Sequence, residues 1–210
     1  MTAALQTLLL LGYPLLVYFA LGFAPPRAVA LFTLGLVVAR LAFASPGRLW
    51  TWARAFAPIA AAFALPGLVT LVLGDPLCLL LAPALFNFAM LAVFAASFAA
   101  RETVVEGLAR AQVGELSPAE HLYCRRVTFL WCAFFAANGA ACAFVALETS
   151  RATWALYTGV VAYALMGALF AGEYVYRHWR FRRYSGAPTD ALLRRIFPPV
   201  SYTHLRAHET

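Results

Sequence analysis

Charge is scarce in this sequence. Only 12% of its 210 residues are Asp, Glu, Lys or Arg, against about a quarter in soluble domains. With 63% hydrophobic residues and a mean hydropathy of +0.77, that scarcity excludes an ordinary soluble globular protein. Lysine is absent: all sixteen basic residues are arginine, and nine acidic residues leave a formal net charge of +7. The excess is not a nucleic-acid signature, because the arginines sit beside apolar segments. Cysteine is limited to Cys78, Cys124, Cys132 and Cys142, without metal-ligand spacing. His121-x-x-Cys124 has no partner motif, so the four read as buried, reduced thiols. There is no Gly-rich phosphate loop, no G-x-S-x-G, no H-E-x-x-H, and no nucleophile with a base in recognisable context. No internal repeat relates the two halves, which leaves an inverted-repeat transporter unsupported.

What the sequence has instead is long apolar segments. Six of them, at about 4–23, 28–44, 56–73, 77–99, 127–147 and 154–174, approach the twenty or so residues needed to cross about 30 Å of hydrocarbon. The first reads as a retained span, since it lacks the basic n-region and cleavage site of a signal peptide. Pro58 and Pro66 are expected to bend the third, and Gly74-Asp75-Pro76 to turn the chain into the fourth. The stretch Leu49–Arg54, with Trp50 and Trp52, suits a headgroup-level entry to the bilayer. The expected fold is an all-α membrane protein, a six-transmembrane-helix bundle occupying 1–184, followed by a cytoplasmic tail over 185–200. The last ten residues, Ser201–Thr210, match nothing before them and read as a non-native read-through extension, so His204 and His208 enter no site.

Arginine placement predicts orientation. With the N-terminus inside, Arg40, Arg48, Arg54, Arg101, Arg110, Arg125, Arg126, Arg177, Arg180, Arg182, Arg183, Arg194 and Arg195 are cytoplasmic, and only Arg27 and Arg151 face outward. The expected topology is therefore N-in, C-in.

The one long polar interval is Arg101–Arg126, the expected cytoplasmic connection between the fourth and fifth spans. Thr103–Ala111 reads as a short amphipathic helix with Val104, Val105, Leu108 and Ala111 on one side and Glu102, Glu106 and Arg110 on the other. Ser117-Pro118-Ala119-Glu120 is a capping box, so the fifth helix is expected to start about two turns before the membrane.

Ten polar residues form the candidate functional cluster: Asn87, Arg101, Glu102, Glu106, Arg110, Arg125, Arg126, Asn138, Glu173 and Arg177. Asn87 and Asn138 lie deepest, where an amide needs a partner; they act either as interhelical glue or as a contact for a substrate. Glu173, at the inner end of the last span, has Arg177 at i+4 and reads as a structural ion pair or a functional carboxylate. Arg101, Arg110, Arg125 and Arg126 read as positive-inside anchors or as a site for a lipid phosphate or an acidic carrier protein. Glu102 and Glu106 lack a third ligand, so no metal is expected. No residue is assigned a catalytic role, and no cofactor is expected.

A longer pattern runs from Pro83 to Arg177. Pro83-x-x-x-Asn87 is followed by Glu106-x-x-Ala109-Arg110, then Arg125-Arg126-Val127-Thr128-x-x-Trp131-x-x-Phe134-Phe135-x-x-Asn138. It continues with Trp154-x-x-Tyr157-x-Gly159-x-x-x-Tyr163-x-x-x-Gly167-x-x-Phe170-x-x-Glu173. This resembles an uncharacterised family of bacterial inner-membrane proteins encoded in gene clusters for aryl polyene (xanthomonadin-like) pigments, with a weaker echo at Gly12-Tyr13-Pro14. The resemblance implies acyl carrier proteins, ketosynthases and acyltransferases as neighbours, and no assigned activity. A ketosynthase label is not supported, because the chain has no thiolase-type domain and no Cys-His-His set. The expected function is an accessory membrane component of polyene or fatty-acid-like lipid assembly, with membrane lipid, an acyl carrier protein or an acyltransferase as partners and no nucleic acid. The alternative is a small-molecule permease or lipid flippase with Asn87, Asn138 and Glu173 lining a path.

Overall fold

The structure, a computed structural model, describes residues 12–42, 61–182, 194–196 and 198. The stretches 4–11 and 43–60, the tail apart from 194–196 and 198, and the read-through segment, each named above, lie outside the described residues. Among the described residues the chain is helical, with no strand. Helices α1 (Tyr13–Phe23) and α2 (Pro26–Ala42) are joined by Ala24 and Pro25. After α3 (Ala61–Leu73) come α4 (Leu77–Leu80) and α5 (Ala82–Ala96), the latter ending in a 3₁₀ turn at Ser97–Ala99. Then follow α6 (Val104–Val113), the long α7 (Pro118–Glu148), α8 (Arg151–Leu156), a π-helical turn at Tyr157–Val161, and α9 (Ala162–Phe181).

Three helical runs are long and apolar enough to cross a membrane: Ala82–Ala99, Pro118–Glu148 and Arg151–Phe181. α1, α2 and α3 are shorter apolar helices. The second and third runs each have 31 residues, about 46 Å of helix, which exceeds a hydrocarbon core by about 16 Å. Large apolar side chains such as Phe19, Leu31, Phe129, Phe144 and Phe170 are exposed, the surface that lipid, rather than water, accepts.

Proline organises one end of the bundle. Pro83 has no N–H to give to the carbonyl of Leu79, four residues back, and the helix breaks there at Leu81, between α4 and α5. In hydrocarbon an orphan carbonyl is expensive, so donors come from elsewhere. Tyr13 Oη on α1 donates to Leu79 O at 3.1 Å, and Trp154 Nε1 on α8 donates to Leu80 O at 2.8 Å. Trp154 is fully buried, and it packs with Tyr13, Val17, Val29, Leu79, Leu80 and Val145 in one apolar cluster. The two exposed arginines at this end serve the same need. Arg27 donates to Val72 O at the end of α3, and Arg151 to Leu21 O at the end of α1, placing cations on helix C-termini. Gly74, at φ +75°, closes α3 beneath the Arg27 guanidinium.

A second cluster, Phe94, Val127, Trp131 and Phe135, joins α5 to α7 toward the opposite end. Between the two clusters α5 and α7 approach closely at Gly139. A Cβ there would lie 3.0 Å from the Phe88 ring and 3.1 Å from Asn87 Cβ. Contact this close supplies the dispersion that holds helices together in lipid.

The connection helix α6 differs from its sequence reading in orientation. Glu106 does not share the outer face with Arg110; it is 4% exposed and packs inward beside Ala109, whereas Leu108 points out. The reason is that Glu106 is the N3 residue of a capping box with Thr103, which turns its carboxylate back onto the helix start.

The joint at Pro83 makes a specific prediction. Tyr13→Phe should destabilise the protein by about 1–2 kcal/mol by leaving Leu79 O unpaired. In a Pro83→Ala background, where residue 83 regains its N–H, the same change should cost much less. A double-mutant cycle by thermal unfolding in one detergent reads the coupling; equal costs in both backgrounds would refute the proline origin of the free carbonyl.

Candidate functional site

Two capping boxes set the geometry at the arginine-rich end. At the start of α6, Thr103 N donates to Glu106 Oε2 at 2.6 Å and Glu106 N to Thr103 Oγ1 at 3.3 Å. At the start of α7, Ser117 N and Oγ both donate to Glu120 Oε2 at 2.8 Å. The second cap lets α7 begin at Pro118, so that His121 and Tyr123 project beside α6 and α9. Glu106 Oε1 then lies 3.2 Å from His121 Nδ1.

α9 completes the arrangement. Glu173 Oε1 accepts from Tyr123 Oη at 3.3 Å and stands 3.6 Å from Arg177 Nε, one turn further on. Arg177 Nη1 donates to Gln112 Oε1 on α6 at 3.4 Å. The three helices are thus tied in a ring: α6 to α7 through Glu106 and His121, α7 to α9 through Tyr123 and Glu173, α9 to α6 through Arg177 and Gln112. Tyr123 also stacks on Tyr176 and meets the edge of Phe181. Arg177 Nε is buried without a hydrogen-bond partner.

Beside this ring, α7 and α9 leave an open cleft of about 250 Å³ lined by Tyr123, Leu130, Ala168, Leu169, Gly172, Glu173 and Tyr176. Leu130, Ala168, Leu169 and Gly172 are apolar, and the polar groups are the Glu173 carboxylate and the hydroxyls of Tyr123 and Tyr176. The cleft is smaller than the roughly 300–1,000 Å³ of drug-sized sites. Gly172 lines it beside open space: a Cβ there would meet nothing within 4 Å.

The deep amides form a separate set. Tyr157 Oη donates to Asn138 Oδ1 at 3.0 Å, Asn138 Nδ2 to Asn87 Oδ1 at 3.0 Å, and Asn87 Nδ2 to Pro83 O at 2.8 Å. The alternation of donor and acceptor links the π turn, α7 and α5. Asn138 is fifteen residues from Tyr123 along α7, about 22 Å of helix, so the two sets share no pocket.

Of the sequence-predicted residues, the structure brings together Asn87 with Asn138, and Glu173 with Arg177. Glu102 pairs with Arg110 at 3.4 Å, away from Glu106. Arg125 lies over the Phe98 ring at 5.4 Å, and Arg125, Arg126 and Arg101 are exposed. Sequence reasoning missed Tyr123, Gln112 and Tyr157. Gln112 and Tyr123 carry no local signal, being 65 and 50 residues from the partners they meet. Thr103-x-x-Glu106 was legible as a capping box. Among the described residues no three His, Cys, Asp or Glu gather to hold a metal. Comparison with protein-family models, curated proteins and solved structures finds no match.

Burial pushes the Glu106 carboxyl upward, but hydrogen bonds from Thr103 and the neighbouring His121 outweigh it and hold the group below its ordinary value of 4.5. A depressed folded-state value means the ionised carboxylate stabilises the fold fully above that ordinary value and loses its contribution as pH falls through the folded one. Protection factors of the α6 amides, taken against the intrinsic exchange rate at each pH, should therefore fall on acidification below about pH 4.5, and Glu106→Gln should remove that step. An α6 whose protection is flat across that range in the wild type would contradict the assignment.

Proposed function

We propose that this protein is an accessory membrane component of polyene or fatty-acyl lipid assembly, holding a single apolar chain in the cleft between α7 and α9. The observation that carries the reading is the cleft itself: apolar walls from Leu130, Ala168, Leu169 and Gly172, with Glu173 and Tyr123 among its lining. A helical membrane protein with no metal cluster among its described residues and a narrow lateral cleft is built to bind a chain from the bilayer. The exposed Arg101, Arg110, Arg125 and Arg126 then form a collar at the same end for an acidic partner such as an acyl carrier protein or acyltransferase. In this reading six segments cross a bacterial inner membrane, with the collar in the cytoplasm, in keeping with the arginine excess on that side. The resemblance to aryl polyene cluster proteins supplies the pathway class.

A permease or flippase is the weaker reading. Its path needs polar groups open to cargo, whereas Asn87 and Asn138 are bonded to each other, to Tyr157 and to the backbone. The two readings part in a deletion strain of the native host. Loss of an assembly component leaves no finished product, whereas loss of an exporter leaves product accumulating inside, and extracted lipids show which.

The cleft is tested directly by filling it. Gly172→Leu should leave unfolding temperature unchanged or slightly raised, since glycine inside a helix costs about 1 kcal/mol and the added side chain meets open space. Labelling of the purified protein by a photoactivatable long-chain alcohol in nanodiscs should fall at least fivefold. Undiminished labelling of the α7 and α9 peptides would remove the cleft from the function.

A further inference from the structure

Resting on the chain-binding reading above, we infer that the cleft selects chains by their polar end, accepting a neutral or cationic hydrogen-bond donor such as an alcohol or amine and disfavouring an anionic carboxylate or phosphate. The inference comes from how one ion pair is oriented. Glu173 lines the cleft and Arg177 does not. Arg177 instead reaches away to Gln112 on α6 and keeps Glu173 at 3.6 Å. The pair is neutral as a whole, but its negative end is the one presented to a ligand. Of the two phenols on the wall, Tyr123 already donates its hydroxyl proton to Glu173 Oε1, and Tyr176 brings a hydroxyl that can donate or accept. The charge on the wall is negative only, and acceptors outnumber donors there: carboxylate oxygen and phenolic lone pairs against one free hydroxyl proton. A hydroxyl or ammonium satisfies those acceptors. A carboxylate or phosphate stands beside a like charge in a poorly solvated place, with the Tyr176 hydroxyl as the one donor on the wall to replace its lost hydration.

This differs from what the net charge implies. The exposed arginines at the same end would attract anions, and they do so on the outer surface, with Arg125 lying over Phe98. An acidic amphiphile is therefore expected at the collar and an uncharged one in the cleft, with the two sites distinguished by which peptides become labelled.

The test uses the full chain in nanodiscs of neutral lipid at pH 8. Three probes share one chain with a mid-chain diazirine and differ only in the end group: alcohol, amine or carboxylic acid. Labelled positions are mapped by mass spectrometry. The expected result is labelling at residues 127–135 and 164–176 by the alcohol and amine, about tenfold above that by the acid, with Glu173→Gln narrowing the gap to within about twofold. Equal labelling of these segments by acid and alcohol in the wild-type protein would overturn the head selection and leave chain binding standing. A preference that persists unchanged in a folded Glu173→Gln variant would overturn it as well, because the carboxylate would not be its source. If that variant does not fold, the wild-type comparison alone decides. Absence of labelling at these segments by every probe would remove the chain-binding reading and this inference with it.

Discussion

One missing hydrogen-bond donor shapes much of this bundle. Pro83 cannot return an N–H to Leu79, and the helix breaks just before it. In water the exposed carbonyls would be hydrated at little cost. In lipid they must be met by protein donors, and the nearest are Tyr13 from α1 and Trp154 from α8. Two helices remote in sequence are thereby pinned to the same turn, and the apolar cluster around Trp154 condenses on that junction. The residue after the break is used too: the Pro83 carbonyl accepts from Asn87, which starts the amide chain to Asn138 and Tyr157.

The two ends of the bundle handle polarity differently. At the Trp154 end, Tyr13, Trp154 and both arginines are aimed at backbone carbonyls. At the other end, polar side chains are bonded to one another, because α6 folds against α7 and α9 there and brings the polar side chains of three helices together. Glu106, Glu173 and Arg177 are tolerable in that position because each has a partner on a different helix, His121, Tyr123 and Gln112 respectively. The Tyr123–Glu173 tie and the packing of Trp131 on Phe170 both hold α9 against α7, and the cleft lies on the same face as the tie.

The sequence made some of this visible and concealed the rest for physical reasons. The cap at Ser117 and the start of α7 at Pro118 were readable, because capping is a local event with a spacing of three residues. The pairing of Glu173 with Arg177 was readable for the same reason, at a spacing of four. The inward turn of Glu106 was misread, since charge on an amphipathic helix was assigned outward without counting the Thr103 cap. The ten polar residues named as one candidate cluster fall into separate groups, with Asn87 bonded to Asn138 and Glu173 beside Arg177. Asn87 and Asn138 sit about 22 Å from the Glu173 ring, because helix length, not side-chain type, sets depth.

Composition and apolar segment length by themselves determined that the chain is helical and suited to a membrane, because hydrocarbon leaves no other way to satisfy a spanning backbone in segments of this pattern. They also determined where helices start, through caps that act within one turn. Only tertiary structure decided which donors answer the proline, which side of the Glu173–Arg177 pair faces the cleft, and how wide that cleft is. Those outcomes depend on helices 50 to 75 residues apart in sequence, and their relative rotation is set by packing at positions such as Gly139 that no local pattern encodes.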